Sequence, residues 1–180
     1  MKNFPFVVAA FLAVGTAATA VVWQNNATAA SNSQSSTRTV AQTKRTFPPD
    51  NSTAKYVLAD AQWRRVLTKQ QYYVLRKEGT DAPFTGNYKK LGDGVYRCVG
   101  CNNILYSSAT QFDSGTGWPS FWKPLRVASV RVLKDVDGQR EEVECKRCGS
   151  HLGHVFSDGP KPTGLRYCMN QSALKFEAKK

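Results

Sequence analysis

The chemistry open to this chain of 180 residues rests on five cysteines and two histidines. Four cysteines form two close pairs, Cys98-Val-Gly-Cys101 and Cys145-Lys-Arg-Cys148. The fifth, Cys168, stands apart in HLGHVFSDGPKPTGLRYCMN, the stretch that also holds His151 and His154. A cysteine left over from such pairs is either a small buried hydrophobe or a reactive thiol. Its company favours reactivity, because cationic groups such as Arg166 and a protonated imidazole promote the attacking thiolate. The histidines titrate nearest to neutral pH and are candidates to move a proton, with zinc ligation or a structural role as the alternatives. Residues three apart share a helix face but not a strand face. Gly149 and Gly153 are therefore expected to bend this segment into a loop that gathers the imidazoles.

The CxxC pairs suit a different task. Four thiolates in tetrahedral array bind zinc, and a two-residue spacer lets one tight turn present both sulfurs. Cys98, Cys101, Cys145 and Cys148 are read as holding one structural Zn2+ per chain, since four cysteines fill the shell and leave no open position. Two disulfides are the rival arrangement. A redox CxxC belongs beside a βαβ pattern, and none is visible.

The elements that must position these groups are mainly β. Ala59 to Glu78 reads as helical, with Trp63, Val66 and Leu67 at helical spacing. A second helix opens on the capping-box pattern Thr68 to Gln71, turns Tyr72, Tyr73 and Leu75 inward, and stops at Gly79. Beyond Gly86 come short β-branched and aromatic runs such as Gly94–Cys98 and Val127–Leu133, with a hairpin turn at Asp137-Gly138 before Glu141–Cys145. Between the CxxC pairs lies FDSGTGWPSFW, a glycine-rich turn whose Trp118 is either core or the wall of a pocket.

FDSGTGWPSFW, the two CxxC pairs, HLGHVF, DGPKPTGLRYCMN and the lead-in WRRVLTKQQYYVLRKEGTDAPFTGNY together resemble the peptide-methionine (R)-S-oxide reductases, the B type of methionine sulfoxide reductase. The likeness runs from about Trp63 to Phe176. It implies two antiparallel sheets behind a short helical lead-in, a structural zinc held by four cysteines, and reduction of the R epimer of methionine sulfoxide in proteins. By position, Cys168 matches the catalytic cysteine of RYCMN. His151, His154, Arg166 and Asn170 complete the catalytic set, and Trp118 and Phe156 are the substrate-binding candidates. Gln171-Ser-Ala stands where the family often has Ser-Ala-Ser. Thr116 stands where many members carry a second cysteine that resolves the oxidised nucleophile, so the expected reductant is an external thiol, thioredoxin-like or small.

The same chemistry can be assembled from the side chains. A sulfoxide sulfur becomes electrophilic once its oxygen is protonated, so a thiolate, an acid and an apolar pocket are needed. Cys168, the histidines and Trp118 offer them, with a sulfenic acid on Cys168 as the first product.

Residues 1–23 carry a short basic start, an apolar run from Phe4 to Val22, and small-residue patterns at Ala18-Thr19-Ala20 and Ala27-Thr28-Ala29. They read as a signal peptide, with a membrane anchor as the alternative. Residues 24–54 read as a disordered polar linker and 55–180 as the reductase domain. An exported monomer is expected. The net charge of +12 is spread without a basic block, so nucleic acid is not an expected partner. A basic zinc-ribbon binding module without catalysis would explain the charge and four cysteines but leaves Cys168 and both histidines idle.

Overall fold

The lead-in begins with α1 (Asp60–Val66) and α2 (Lys69–Lys77), joined at Thr68. Thr68 Oγ1 accepts from Gln71 N at 3.2 Å and Thr68 N donates to Gln71 Oε1 at 3.0 Å, the reciprocal box that the spacing predicts. This computed structural model describes residues 46–47, 49–50, 54–135 and 138–180. The signal or anchor segment, most of the polar linker and Asp137 lie outside the described residues.

α2 buries Tyr72, Val74 and Leu75, whereas Tyr73, expected inward, is half exposed. Successive helical residues are rotated by about 100°, and Tyr73 is turned away from the sheets toward its own helix end. There its ring covers Gly79, where any Cβ would collide with it. The left-handed residue that ends α2 is Glu78, with φ 56°. A side chain at Gly79 would thus displace the tyrosine ring, whereas the turn itself falls on Glu78.

Nine strands follow among the described residues: β1 (Gly94–Cys98), β2 (Ile104–Ser107), β3 (Gln111–Phe112), β4 (Ser120–Phe121), β5 (Val130–Lys134), β6 (Glu141–Cys145), β7 (His151–Phe156), β8 (Arg166–Met169) and β9 (Leu174–Ala178). They form two antiparallel sheets, one ordered β2-β1-β9 and the other β3-β4-β8-β7-β6-β5. The expected strand at Val127 starts later, because Val127–Ser129 form a 3-10 turn. The β5–β6 hairpin is present, with Val130 opposite Cys145, Lys134 opposite Glu141, and Gly138 at φ 68° in its connection.

Aromatic rings join the two sheets. Phe121 of β4 stacks on Tyr106 of β2 at 4.4 Å and meets Tyr96 of β1 edge-on at 5.0 Å, while Tyr106 also contacts Tyr167 of β8 at 6.0 Å. Each such pair adds about 1 kcal/mol beyond the area it buries. The buried Tyr106 hydroxyl donates to Met169 Sδ at 3.1 Å, which satisfies a group otherwise costly to bury.

Candidate active site

Strand periodicity decides where Cys168 faces. Along β8, Tyr167 and Met169 are buried in the inter-sheet core, so Arg166 and Cys168 point to the other side. There Cys168 borders a cleft of about 140 Å3 lined by Trp118, Arg140, His154, Phe156 and Asn170 among others. Its register places it in a row across the sheet, with Ser120 of β4 on one side and His154 of β7 on the other; His154 in turn pairs with Glu142 of β6.

The histidine segment is a strand and not the expected loop. Glu142 pairs with His154, Val143 with Gly153 and Glu144 with His151, so Leu152 is an extra residue in the β6–β7 ladder. This bulge shifts the side-chain alternation by one, and residues three apart end up on one face, their ring centroids 5.3 Å apart. Gly153, at φ 153°, permits it: a Cβ there would strike the Cys168 carbonyl of the neighbouring strand.

The two imidazoles differ. His151 is buried, its Nδ1 2.7 Å from Glu142 Oε1, while its Nε2 is enclosed without a hydrogen-bond partner. Burial lowers His151 and raises Glu142 from their ordinary pKa values, so the charged form of each partner is disfavoured. His154 borders the cleft, with Nε2 3.1 Å from Asp135 Oδ2. Burial, and secondarily the Arg140 guanidinium, hold it below the usual histidine value against the opposing Asp135 contact.

Arg166 forms a two-point pair with Asp158, at 2.9 and 2.8 Å, and lies over the Phe156 ring at 4.3 Å. Its pKa is raised first by Asp158 and then by the Cys168 sulfur. Asn170 is buried with both ends of its amide engaged by backbone, accepting from Asp81 N at 2.8 Å and donating to the Leu152 carbonyl at 3.2 Å. Trp118 donates its indole N–H to the Asp81 carbonyl at 2.9 Å.

Asp81 and Glu142 were not singled out from the sequence. Asp81 is the junction of the site: its carboxylate accepts from Gln70 Nε2 at 2.7 Å, Ser172 N at 2.7 Å and Ser172 Oγ at 2.9 Å. Through its side chain and backbone it links α2, the turn after β8, Asn170 and Trp118.

The other four cysteines gather at the far end of β1 and β6 in two matching turns. Asn102 N donates to the Cys98 carbonyl and Gly149 N to the Cys145 carbonyl, each at 2.8 Å, with Asn102 at φ 61° and Gly149 at φ 63°. All four sulfurs lie within 4.8 Å of one another, with Cys98 to Cys148 at 3.8 Å and Cys101 to Cys145 at 3.5 Å. Those separations are far beyond a disulfide bond and close to the edge of about 3.8 Å of a tetrahedron with metal–sulfur bonds of about 2.3 Å. Hydrogen bonds within the cluster draw Cys145 and Cys148 below the usual thiol value and push Cys98 and Cys101 above it. A metal dication at the centre would favour the ionised form at all four sulfurs. Asn103 Nδ2 donates to Cys145 Sγ at 3.7 Å, an outer-shell contact of the kind that orients a ligand.

Comparison with known proteins agrees with this geometry. The SelR domain profile matches residues 67–178. A peptide methionine sulfoxide reductase MsrB of Methanosarcina barkeri is 52% identical over 122 residues, 66% of this chain and 86% of the relative. One of Thiobacillus denitrificans is 52% identical over 123 residues, 67% of this chain and 93% of the relative. The chloroplastic peptide methionine sulfoxide reductase B1 of Arabidopsis thaliana is 48% identical over 124 residues, 67% of this chain and 61% of the relative. The chain belongs to the SelR domain family, that of the B-type methionine sulfoxide reductases.

Proposed function

We propose that this chain reduces the R epimer of methionine sulfoxide in oxidised proteins, with Cys168 as nucleophile. The observation that carries the reading is the placement of the one cysteine outside the four-cysteine cluster in a cleft with His154, Phe156 and Trp118, beside Arg166, in a chain of this family. The Cys168 thiolate attacks the sulfoxide sulfur while His154 protonates the sulfoxide oxygen. The oxygen passes to Cys168, whose sulfur is oxidised to a sulfenic acid as the substrate sulfur is reduced to the thioether; the single proton given by His154 becomes the sulfenic acid hydrogen, which balances the charge of the thiolate. Trp118 and Phe156 hold the methyl end, Arg166 supports the thiolate, and Asn170 positions the strand. The buried His151–Glu142 pair backs His154 from beneath.

Two external thiols then reduce the sulfenic acid, giving back the thiol, one disulfide and water. Thr116 supplies no internal thiol for this purpose. Cys98, Cys101, Cys145 and Cys148 would hold a zinc ion, which when bound would fasten the β1–β2 and β6–β7 turns together and leave no open position for substrate. The apolar run Phe4–Val22 directs the protein out of the cytoplasm, with the polar stretch after it as a tether; cell fractionation and sequencing of the mature N-terminus test that assignment.

The deciding assay offers separated R and S methionine sulfoxide with dithiothreitol as reductant. Wild type should reduce only the R epimer and Cys168→Ser neither. Comparable turnover of both epimers, or an active Cys168→Ser protein, would overturn the reading.

A further inference from the structure

The cleft side of Cys168 meets a run of hydroxyls that the sulfoxide chemistry does not use. Thr116 Oγ1 lies 3.9 Å from Cys168 Sγ, Ser114 Oγ 2.8 Å from Thr116 Oγ1, and Ser120 Oγ 2.7 Å from Ser114 Oγ. Ser120 Oγ donates to the Trp118 carbonyl at 3.2 Å. Each hydroxyl owns one hydrogen but can accept more than one, so counting hydrogens fixes the direction of the whole run. With the Ser120 hydrogen on the carbonyl, Ser114 must donate to Ser120 and Thr116 to Ser114. The hydrogen at the remaining link must then come from Cys168.

That direction suits a thiol or a sulfenic acid. A thiolate has no hydrogen to give, and every hydroxyl must turn round: Thr116 donates to sulfur, Ser114 to Thr116, and Ser120 to Ser114. Only the 3.2 Å bond to the carbonyl, the longest of the oxygen–oxygen links, is given up. In return the link at sulfur becomes charge-assisted, and such bonds are about twice as strong as neutral ones. The links polarise one another, so the run reverses as a unit.

We propose that Thr116, Ser114 and Ser120 form a reversible hydroxyl chain serving Cys168 in both states of the reaction, donating to the thiolate before attack and accepting from the sulfenic acid after it. Thr116, at the position where many relatives keep a resolving cysteine, is on this account a positioning residue. The inference rests on the reading of Cys168 as the reacting thiol. Other charged groups around Cys168 are Arg166 with Asp158, His154 with Asp135, Arg140 at the cleft, and Asp113 at the start of the turn. None of them exchanges donor and acceptor with the state of Cys168 as the chain does.

The test is the pH dependence of Cys168 alkylation by iodoacetamide on the full, zinc-loaded chain, read by mass spectrometry on the Cys168 peptide. Thr116→Val removes the donor to the thiolate and should raise the midpoint by about one pH unit, a tenfold loss of thiolate well below it; Thr116→Ser should restore it. Ser114→Ala should move it the other way, by about half a unit, because the thiolate state then keeps the Ser120 bond to the carbonyl. If Thr116→Val does not fold, Thr116→Ala gives the same reading. Midpoints that shift in one direction for both positions, or do not shift, overturn the chain. Sulfoxide turnover is followed in parallel: an active Cys168→Ser protein removes the underlying reading whatever the midpoints do.

Discussion

Cys168 and His154 stand directly opposite each other as registered partners of β8 and β7, on the cleft side of the six-stranded sheet. The proposed nucleophile and proton donor thus come from two adjacent strands and depend on one ladder for their spacing. Because burial holds His154 below its ordinary value, its acid form is scarce at neutral pH and grows as pH falls. Single-turnover release of methionine by wild type should therefore gain on that of His154→Gln as pH falls from about 8 to about 6. His154→Gln should be slower by about 100-fold at the lower pH. Identical pH profiles for the two proteins would remove His154 from the proton transfer.

The bulge at Leu152 can be probed through Gly153, whose φ of 153° and close approach to the Cys168 carbonyl leave no room for a side chain. Gly153→Ala should cost about 2–3 kcal/mol and lower the melting temperature by about 5–10 °C. Differential scanning calorimetry measures it, and a melting temperature within a degree or so of wild type would contradict the account of the bulge.

Asp81→Ala removes the acceptor of Gln70 and Ser172 while retaining the carbonyl that holds Trp118. The segment carrying that carbonyl then loses its anchor. Stability should fall by about 2–3 kcal/mol, since charged acceptors of buried donors are worth most. KM should rise several-fold with a smaller change in kcat, and an unchanged KM would mean that Trp118 is held in place by other contacts.

Replacing any one of the four clustered cysteines should lower metal content and melting temperature together, because metal binding free energy at such sites is folding free energy. Elemental analysis of the purified chain should return about one zinc per chain. Native mass spectrometry showing a metal-free chain lighter by four hydrogens would instead favour two disulfides.

Thr116→Cys places a second thiol where Thr116 Oγ1 now lies 3.9 Å from Cys168 Sγ. After one turnover without reductant, wild type should carry a dimedone-reactive sulfenic acid, and the variant an internal disulfide between residues 116 and 168. An intramolecular disulfide at Cys168 in the wild type would identify one of the clustered cysteines as its partner and dissolve the case for a structural metal.

Local signals in the sequence translate well into this structure. The Thr68–Gln71 box, the hairpin from β5 to β6 and the two cysteine turns each depend on a few adjacent residues, so their chemistry is written where they stand. What was hidden depends on distant pairing. Nothing in HLGHVF marks Leu152 as extra, because a bulge exists only against the register of β6. Glu142 sits in the alternating stretch EEVEC and reads as solvent-facing until His151 closes over it. Asp81 binds Ser172 far along the chain and holds Trp118 by its backbone carbonyl, which no side-chain pattern reveals. Tyr73 misled because adjacent helical residues are rotated by about 100°, so with Tyr72, Val74 and Leu75 turned inward Tyr73 falls on the other face.

A single guanidinium ties together the two margins of the domain. Arg97 of β1, almost wholly buried, makes paired contacts to Asp50, at 2.6 and 3.0 Å, and to Glu177 of β9, at 2.7 and 3.2 Å. The segment entering the fold and the last strand are therefore within one side chain's span, and a short peptide could bridge them. That makes the domain suited to circular permutation or to insertion as a cassette in another protein. A version joined there and opened beside Gly138, on the β5–β6 connection, would keep the β7–β8 ladder and the cysteine cluster covalently intact.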